Sequence, residues 1–353
     1  MHAGTGGLER WANPNTLRTA AHVVIVLAGS WWLLGQLATV LRPLLLAVFL
    51  GYVLLPYYAR LRLHVPVPVA LGVLVGATTG VLLLIAFGMY VSLSGLSVEL
   101  PMLRPRAVGL VRDVSDFLNE YLPGTGAVAG GTRSAEEQAA DKISENVMWL
   151  ANLAALGFLE AASAGLYLLF LLMESGKFPD RVRAAYPPEK ADEILHVFGR
   201  INAAVISYLK AKVLSSLLVA VPVGAILWAC GVKFSLLWAL LTFACNFIPY
   251  LGSAVAYTLP IGFAFLQFEE PGRPLLVAGL LTACHVLGAA VVEPLILGKA
   301  MGLSPLVVLG ALSLWGLSLG LPGMFLAVPL TVVVVLVLDN IEATRPIAKL
   351  LGG

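Results

Sequence analysis

The sequence predicts an all-α polytopic membrane protein with about eight hydrophobic segments. Of its 353 residues, 59% are hydrophobic and only 12% are charged, and the mean hydropathy is +0.91. A soluble domain has about a quarter of its residues charged, so this chain has too few charges to cover a water-exposed surface. The apolar residues also form long runs, and about 20 mainly apolar residues are enough for a helix to cross the bilayer.

Six segments have the length and composition of single membrane-spanning helices. They cover residues 20–41, 43–58, 68–96, 147–173, 204–230 and 275–292. The first segment follows Arg10 and Arg18 and has no small-x-small cleavage pattern, which favours a retained helix over a removed signal peptide. Pro222 lies inside the fifth segment and is expected to kink it.

The apolar segments divide the chain into five regions. Residues 1–96 hold the first three spans, 97–146 form a polar and amphipathic extracytoplasmic region, and 147–203 hold the fourth span and an amphipathic linker. Residues 204–338 form the predicted core, and 339–353 a cytoplasmic tail. Within the second region, apolar residues from Val108 to Tyr121 are spaced for one helical face, and the glycine-rich stretch that follows is expected to be partly mobile.

The distribution of Lys and Arg predicts the orientation. Cytoplasmic loops are enriched in these residues, and most of those flanking the first five spans fall on one side. The opposite short loop is expected to hold only Arg42, so both termini are predicted to be cytoplasmic. Lys210 and Lys212, at the start of the fifth span, are expected to extend to the cytoplasmic surface.

Two further segments, 234–267 and 305–338, are too long for one straight crossing and contain helix-breaking residues. The first holds NFIPYLGS and the second LGLPGMFLAVP, each flanked by apolar arms of about 15 residues. Proline removes a backbone donor, and glycine tolerates strained backbone. In hydrocarbon, a broken helix is stable only where its freed backbone is buried in protein or lines a wet cavity. Both breaks are therefore predicted to line a cavity.

The two broken segments also suggest an internal repeat. A span followed by a broken segment occurs over 204–267 and again over 275–338. If each broken segment is a re-entrant hairpin, each unit crosses the membrane once, and the second copy is inverted relative to the first. Many secondary transporters place their binding sites in such repeats. If the segments are instead kinked helices that cross at a slant, the repeat is lost but the breaks still line a cavity.

The binding site is predicted at these two breaks. Carbonyls that precede the prolines lose intrahelical partners, and the second arms begin with free N–H groups. Such groups suit a small hydroxyl-rich solute or a partly hydrated cation. The predicted binding residues are Asn246, Pro249, Tyr250, Gly252, Ser253, Gly320, Pro322 and Gly323. In addition, Ser304 followed by Pro305 is a typical helix start.

Three ionisable residues in apolar segments are candidates for coupling to an ion or a proton. They are Glu160, His285 and Glu293. A charge at the bilayer centre costs at least about 2.5 kcal/mol, so such residues usually face a cavity or a partner. The alternatives are interhelical hydrogen bonds for Glu160 and His285, and an interfacial ion pair between Glu293 and Lys299.

Other classes of function find little support. The chain has no GxxxxGK[ST] or HExxH motif, no basic tract for nucleic acid, and no cysteine spacing typical of a metal site, so no cofactor is expected. The stretch GLSLG, which contains Ser318, matches the GxSxG nucleophile pattern, but no predicted strand precedes it. A non-transporting scaffold that docks partners through residues 97–146 remains an alternative.

The stretches NFIPYLGSAVA and VVEPLILGKAMGLSPLVVLGALSLWGLSLGLPGMFLAVPLTVVV resemble the autoinducer-2 exporter family of bacterial membrane transporters, most strongly over residues 208–338. The family motif maps onto Asn246, Ile248, Pro249, Gly252, Glu293, Pro294, Gly298, Ser304, Pro305, Gly320, Pro322, Gly323 and Pro329. The resemblance implies an oligomeric secondary transporter in the bacterial inner membrane that exports a small polar solute like the quorum-sensing signal autoinducer-2. Some relatives are associated with sodium–proton exchange, so a sodium or lithium antiporter is the alternative.

Overall fold

The computed structural model describes residues 14–121, 133–249, 251–297, 303–342 and 344–352. Within these ranges the chain is helical, and its only β-type pairing is a bridge between Leu303 and Gly352. Six helical stretches are long and apolar enough to cross a membrane, and three shorter apolar helices accompany them. The predicted all-α polytopic fold is confirmed.

The first two predicted spans form one helix. Helix α1 covers Pro14–Leu61, with Pro43 in its interior. Proline removes only one backbone hydrogen bond, and no glycine or polar turn residue adjoins Pro43 to divide the helix. Arg42 is therefore helical, and the prediction that it lies in a short loop is wrong. Because α1 is unbroken at Arg42, the predicted turn between the first and second spans is absent.

The next two helices extend well beyond their predicted spans. Helix α2 covers Val67–Tyr121 and helix α3 covers Arg133–Glu174. The predicted helical face between Val108 and Tyr121 is therefore part of α2, and the polar region 97–146 is largely a continuation of both helices. The glycine-rich stretch lies outside the described residues.

Helices α1, α2 and α3 pack as one group. A Cβ atom at Gly165 of α3 would lie 2.3 Å from Thr79 Oγ1 of α2, and one at Gly157 would lie 4.0 Å from Ala86 Cβ. The sequence order of these contacts makes α2 and α3 antiparallel. Buried residues of all three helices share one core: Ala47, Tyr58, Ala70, Leu71, Ala164, Leu168 and Leu172.

Two helices follow α3 on the way to the core. Helix α4 covers Phe178–Ala185, and Arg181 forms an ion pair with Glu174 at the end of α3. Helix α5 covers Pro188–Ala229, so the charged linker and the fifth span are one helix with Pro222 inside it. This 42-residue helix is about 63 Å long and carries contacts to both broken segments.

The first broken segment forms a helical hairpin, here called the first hairpin. Helix α6 covers Ser235–Cys245 and helix α7 covers Leu251–Gln267. At the open end, the backbone N–H of Lys233 donates to Gln267 Oε1 at 2.7 Å, and Gln267 Nε2 donates to the Gly231 carbonyl at 2.8 Å. Further along, the rings of Trp238 and Phe263 are 5.5 Å apart. The two arms are therefore antiparallel, with the break at 246–250 as their tip.

The chain then runs back along α5. Helix α8 covers Gly272–Leu287, a π-helical turn covers Gly288–Val292, and helix α9 covers Glu293–Leu297. A Cβ atom at Gly288 would lie 3.2 Å from Val219, and Glu293 contacts Lys212. Since later residues meet earlier ones, α8 and α9 are antiparallel to α5.

The second broken segment forms a second hairpin. Helix α10 covers Pro305–Leu319 and helix α11 covers Leu321–Asp339, with Gly320 as the tip at φ 69° and ψ −148°. The predicted helix start is confirmed, because Ser304 Oγ accepts from the Val307 N–H at 3.3 Å. Trp315 Nε1 donates to Thr331 Oγ1 at 3.2 Å and joins the arms. With 19 residues, α11 is longer than the predicted arm of about 15 residues, and it is long enough to span the membrane.

The hairpins approach each other from opposite ends of α5. The first opens beside the end of α5, because Gly231 and Lys233 follow that helix directly and contact Gln267. The second opens toward the earlier part of α5, where Val308 and Leu312 share a buried core with Val205 and Tyr208. A final helix, α12, covers Arg345–Leu351 and returns near the start of α10. This arrangement is the geometry that an inverted repeat requires.

Replacing Gly323 with alanine should destabilise the protein. A Cβ atom there would lie 2.0 Å from the Trp315 carbonyl oxygen, so the arms of the second hairpin would have to separate. Overpacking of this kind costs about 1–3 kcal/mol. We expect the Gly323→Ala variant to melt several degrees below wild type in detergent, as measured by intrinsic fluorescence.

The matched control is Gly310→Ala in α10, where an added Cβ meets nothing within 4 Å. Alanine is the better helix former, so this variant should be as stable as wild type or slightly more stable. Equal melting temperatures for the two variants would contradict the tight contact between the arms.

Candidate functional site

The tips of the two hairpins meet in the core of the protein. The Phe247 ring, at the first tip, lies 5.7 Å from the Phe325 ring in the first turns of α11. It also lies 5.9 Å from the Phe49 ring of α1, which covers the tips from one side. Ile248 is buried with Ala327 and Val328 of α11. Two breaks that lie about 70 residues apart in the sequence thus form one region.

Asn246 is the polar residue of this region with the clearest partner. It caps the end of α6, and its Nδ2 donates to Ser216 Oγ of α5 at 3.0 Å. Ser216 is fully buried, as are Ser215 beside it and Thr242 one turn before Asn246. Thr242 Oγ1 donates to the Ala256 carbonyl of α7 at 3.4 Å. These four residues form a polar strip that extends from α5 into the first tip. The sequence predicted Asn246 as a binding residue but not Ser216.

The remaining predicted residues of the first tip have mainly backbone roles. The Cys245 carbonyl accepts from the Ile248 N–H at 2.9 Å, and the Ile248 carbonyl accepts from the Gly252 N–H at 3.0 Å. A Cβ atom at Gly252 would lie 1.6 Å from the Cys245 carbonyl oxygen, so this position needs glycine for close packing. Pro249 lies in the non-helical tip. Tyr250 and the side chain of Ser253 lie outside the described residues.

The second tip holds a contact that the sequence did not predict. Arg42 of α1 donates through Nε to the Leu319 carbonyl at 2.8 Å, and a Cβ atom at Gly320 would lie 3.3 Å from Arg42 Nη2. This carbonyl was expected to be free for a hydroxyl or a cation, and that expectation is wrong. Pro322 lies in the first turn of α11, and Gly323 is buried against α10.

A partly buried ion pair lies next to the first tip. Lys212 Nζ of α5 lies 3.2 Å from Glu293 Oε1, and the Lys212 side chain is 5% exposed against 39% for Glu293. The expectation that Lys212 reaches the cytoplasmic surface is wrong, because the packing of α9 against α5 supplies a carboxylate inside the protein. Lys210 is exposed as expected. Lys299, the partner predicted for Glu293, and Gly298 lie outside the described residues.

The three predicted coupling residues lie in two different places. Glu293 directly follows the π-helical turn, a feature often found at functional sites. His285 lies in the same helical stretch, with its ring 4.6 Å from the buried Tyr257 of α7. Glu160 instead lies on α3, in the group formed with α1 and α2, and the structure does not bring it to the hairpin tips.

Ser318 does not have the setting of a nucleophile. It lies in the last turn of α10, is 6% exposed, and donates its hydroxyl to the Leu314 carbonyl of its own helix. The nucleophile pattern requires a strand, a sharp turn and a helix, whereas α10 is continuous here.

The long apolar helices, the paired broken helices and the buried polar strip together define a multi-pass membrane transport protein. Comparison with known sequences gives the family. Residues 21–343 match the family described as "AI-2E family transporter", and the chain belongs to this family.

Two relatives align with nearly the whole chain, and a third aligns with about half of it. The AI-2 transport protein TqsA of Escherichia coli (strain K12) is 29% identical over 340 residues, which cover 94% of this chain and 93% of TqsA. Two further relatives are named "Putative transport protein". YhhT of the same strain is 29% identical over 96% of both chains, and one from Haemophilus influenzae is 36% identical over 53% of this chain and 54% of its own length.

Removing Lys212 should destabilise the protein, because it leaves the Glu293 carboxylate without its ion-pair partner. Breaking a fully buried pair costs about 3–5 kcal/mol. The cost here should be smaller, since the Glu293 side chain is 39% exposed. We expect the Lys212→Met variant to melt well below wild type, and the double variant Lys212→Met/Glu293→Leu to recover most of the loss.

Lys210→Met is the control, because Lys210 is an exposed lysine two residues before Lys212 on the same helix. It should melt like wild type. If both lysine variants melt alike, or if the double variant is no better than Lys212→Met, the ion pair contributes nothing to stability.

Proposed function

We propose that the protein is a secondary transporter that exports a small polar solute by alternating access. The observation that carries this proposal is the contact of the two hairpin tips, with the Phe247 and Phe325 rings 5.7 Å apart. Broken helices that meet inside a membrane protein offer backbone dipoles and polar side chains to a solute at one place. In this proposal Asn246, Pro249, Tyr250, Gly252 and Ser253 line the site from the first tip, and Gly320, Pro322 and Gly323 line it from the second.

The proposed solute class comes from a relative. The Escherichia coli protein, 29% identical over nearly the whole chain, carries the name AI-2 transport protein. A small polar molecule similar to autoinducer-2 is accordingly the proposed cargo, and quorum-sensing export is the proposed role. The side chains of Asn246 and Ser216 supply the hydrogen-bonding groups that a hydroxyl-rich solute needs.

Both hairpins are proposed to re-enter the membrane and not to cross it. In the first, the Lys233 N–H bonds to Gln267, so the segment begins and ends at the same end of the molecule. Its arms of 11 and 17 residues are about 16 and 26 Å long, short for a bilayer core of about 30 Å. Two re-entrant hairpins from opposite faces would let the site open to each side in turn.

The membrane in question is proposed to be the bacterial inner membrane, with the C-terminus in the cytoplasm. Arg345 and Lys349 of α12 favour that side, as do the basic residues between Lys177 and Arg200. With the linker after α3 in the cytoplasm, a cytoplasmic N-terminus requires an even number of crossings before that linker. If α1, α2 and α3 each cross once, the number is three, which favours an N-terminus on the opposite side. A homo-oligomer is also proposed, on the family resemblance alone.

Replacing Asn246 with alanine should reduce transport. The change removes the amide that bonds Ser216 at the first tip, while the surrounding apolar packing stays in place. In counterflow with proteoliposomes and labelled autoinducer-2, we expect flux to fall about tenfold or more, the loss typical of a hydrogen bond that the solute needs.

Ser313→Ala is the matched control, because Ser313 is exposed on α10 and bonds only to its own helix. It should transport like wild type. Unchanged flux in a well-folded Asn246→Ala variant would refute the assigned site. No flux in wild type, with this solute or with related polyols, would refute solute export.

A sodium or lithium antiporter is the second candidate, and the Lys212–Glu293 pair favours it. A monovalent cation could compete with the Lys212 ammonium for a carboxylate that is 39% exposed and therefore accessible. His285, close to the same helical turn, would then carry or pass a proton. Glu160 stays a proposed coupling residue, although it lies away from this pair.

Antiport makes a prediction that solute export does not. If cation exchange is the activity, Glu293→Gln abolishes sodium- and lithium-driven proton flux, because the amide cannot hold the cation. The measurement is quenching of a pH-sensitive dye in proteoliposomes, with Glu189→Gln at the exposed start of α5 as control. A wild-type protein without cation-driven proton flux would exclude this candidate.

A further inference from the structure

Arg42 is a positively charged side chain inside an apolar helix, and it reaches the tip of the second hairpin. It lies in the stretch Trp32–Leu61, which has the length and composition of a membrane span. Its Nε–H bonds to the Leu319 carbonyl, and its guanidinium lies against Gly320. A charge at this depth is costly, so it requires a partner or a function.

Among the described residues, only one of the hydrogen-bond donors of Arg42 has an acceptor. A guanidinium has five N–H donors, and the Leu319 carbonyl accepts from one of them. Within the described residues, neither Nη atom has a hydrogen-bond acceptor, and no carboxylate pairs with Arg42. The acidic side chain of the core, Glu293, is already bonded to Lys212. Arg42 thus contributes a net positive charge at the second tip.

A purely structural role accounts for only part of this arrangement. A cation at the C-terminus of a helix is favourable, and Arg42 caps the last residue of α10 in this way. That role needs one donor and could be filled by a neutral amide. It gives no reason for a charged, planar group whose two Nη atoms have no acceptor within the part of the chain that the structure describes.

The position of Arg42 relates it to the proposed solute site. Arg42 and Phe49 are seven residues apart on α1, which places them on the same helical face and about 10 Å apart along the axis. Phe49 contacts the first tip through Phe247, and Arg42 contacts the second tip. The N-terminus of α11 begins one residue after Gly320 and adds partial positive charge nearby.

We propose that Arg42 binds a negatively charged oxygen of the transported solute at the tip of the second hairpin. The solute class is a small polar molecule with a carboxylate- or phosphate-like group, because the guanidinium fork matches two such oxygens. The proposal rests on the proposed solute export and narrows its cargo. It also disfavours a bare cation at this tip, since Arg42 would repel it.

The experiment compares an oxyanion with its neutral counterpart. The probes are glycerate, inorganic phosphate and, as the neutral solute, glycerol. Binding to the detergent-solubilised protein is followed by thermal stabilisation, and flux by counterflow in proteoliposomes. The variants are Arg42→Gln, which keeps a donor for Leu319 but not the charge, and Arg42→Lys, which keeps the charge but not the fork. Arg60→Gln, at the exposed end of α1, is the control.

For wild type and Arg60→Gln we expect stabilisation by glycerate or phosphate and none by glycerol. Arg42→Gln should bind the oxyanion roughly tenfold more weakly or worse, and Arg42→Lys should fall between it and wild type. If Arg42 were only a structural cap, both variants would bind the oxyanions as wild type does, because glutamine and lysine each keep a donor for the Leu319 carbonyl. A similar unliganded melting temperature in Arg42→Gln and wild type would show that the charge is not needed for folding.

The proposal is overturned if no oxyanion stabilises wild type more than Arg42→Gln, or if glycerol binds as well as the oxyanions. These results separate it from solute export itself. Flux of a neutral polyol that is unaffected in Arg42→Gln would leave export standing and remove the oxyanion site. Oxyanion binding that depends on Arg42, without any flux, would leave the oxyanion site standing and remove solute export.

Discussion

The structure depends on one constraint: backbone N–H and C=O groups inside a bilayer must find partners within the protein. Both broken helices obey it. The Cys245 and Ile248 carbonyls accept hydrogen bonds within the first tip, and the Leu319 carbonyl accepts one from Arg42 of another helix. Gly252 and Gly323 lie so close to the opposite arm that no side chain fits. The breaks are therefore held by the fold and do not weaken it.

The same constraint concentrates polar chemistry in one strip of the core. Ser216, on the buried face of α5, accepts a hydrogen bond from Asn246 of the first tip. Lys212 lies on the same face of α5, and Glu293 of α9 supplies the carboxylate that pairs with it. Each of these groups would be costly alone in an apolar environment, and each has a partner. Arg42 is the exception, because only one of its donors is bonded within the described chain. An unbalanced charge beside the second helix break is the property that points to binding of a charged solute.

Sequence reasoning succeeded where the pattern is local. The apolar runs predicted the membrane helices except for the division at Pro43, Pro249 and Gly320 marked the breaks, and Ser304 with Pro305 marked a helix start. It failed where a residue's role depends on a distant neighbour. Arg42 was expected in a loop because a proline follows it, and Lys212 was expected at the surface because lysine usually extends there. Neither Leu319 nor Glu293 is near them in sequence, so no local signal pointed to these contacts.

By itself the sequence determined the kind of protein: the hydropathy requires a membrane, and proline and glycine require two interrupted helices within it. Those properties follow from composition and from the local effect of single proline and glycine residues on the backbone. Tertiary structure alone decided that the two interruptions meet, that Asn246 bonds to Ser216, and that Arg42 reaches the second tip. The reason is that helix packing, which brings together residues up to 277 positions apart, is not encoded in any short stretch of the chain.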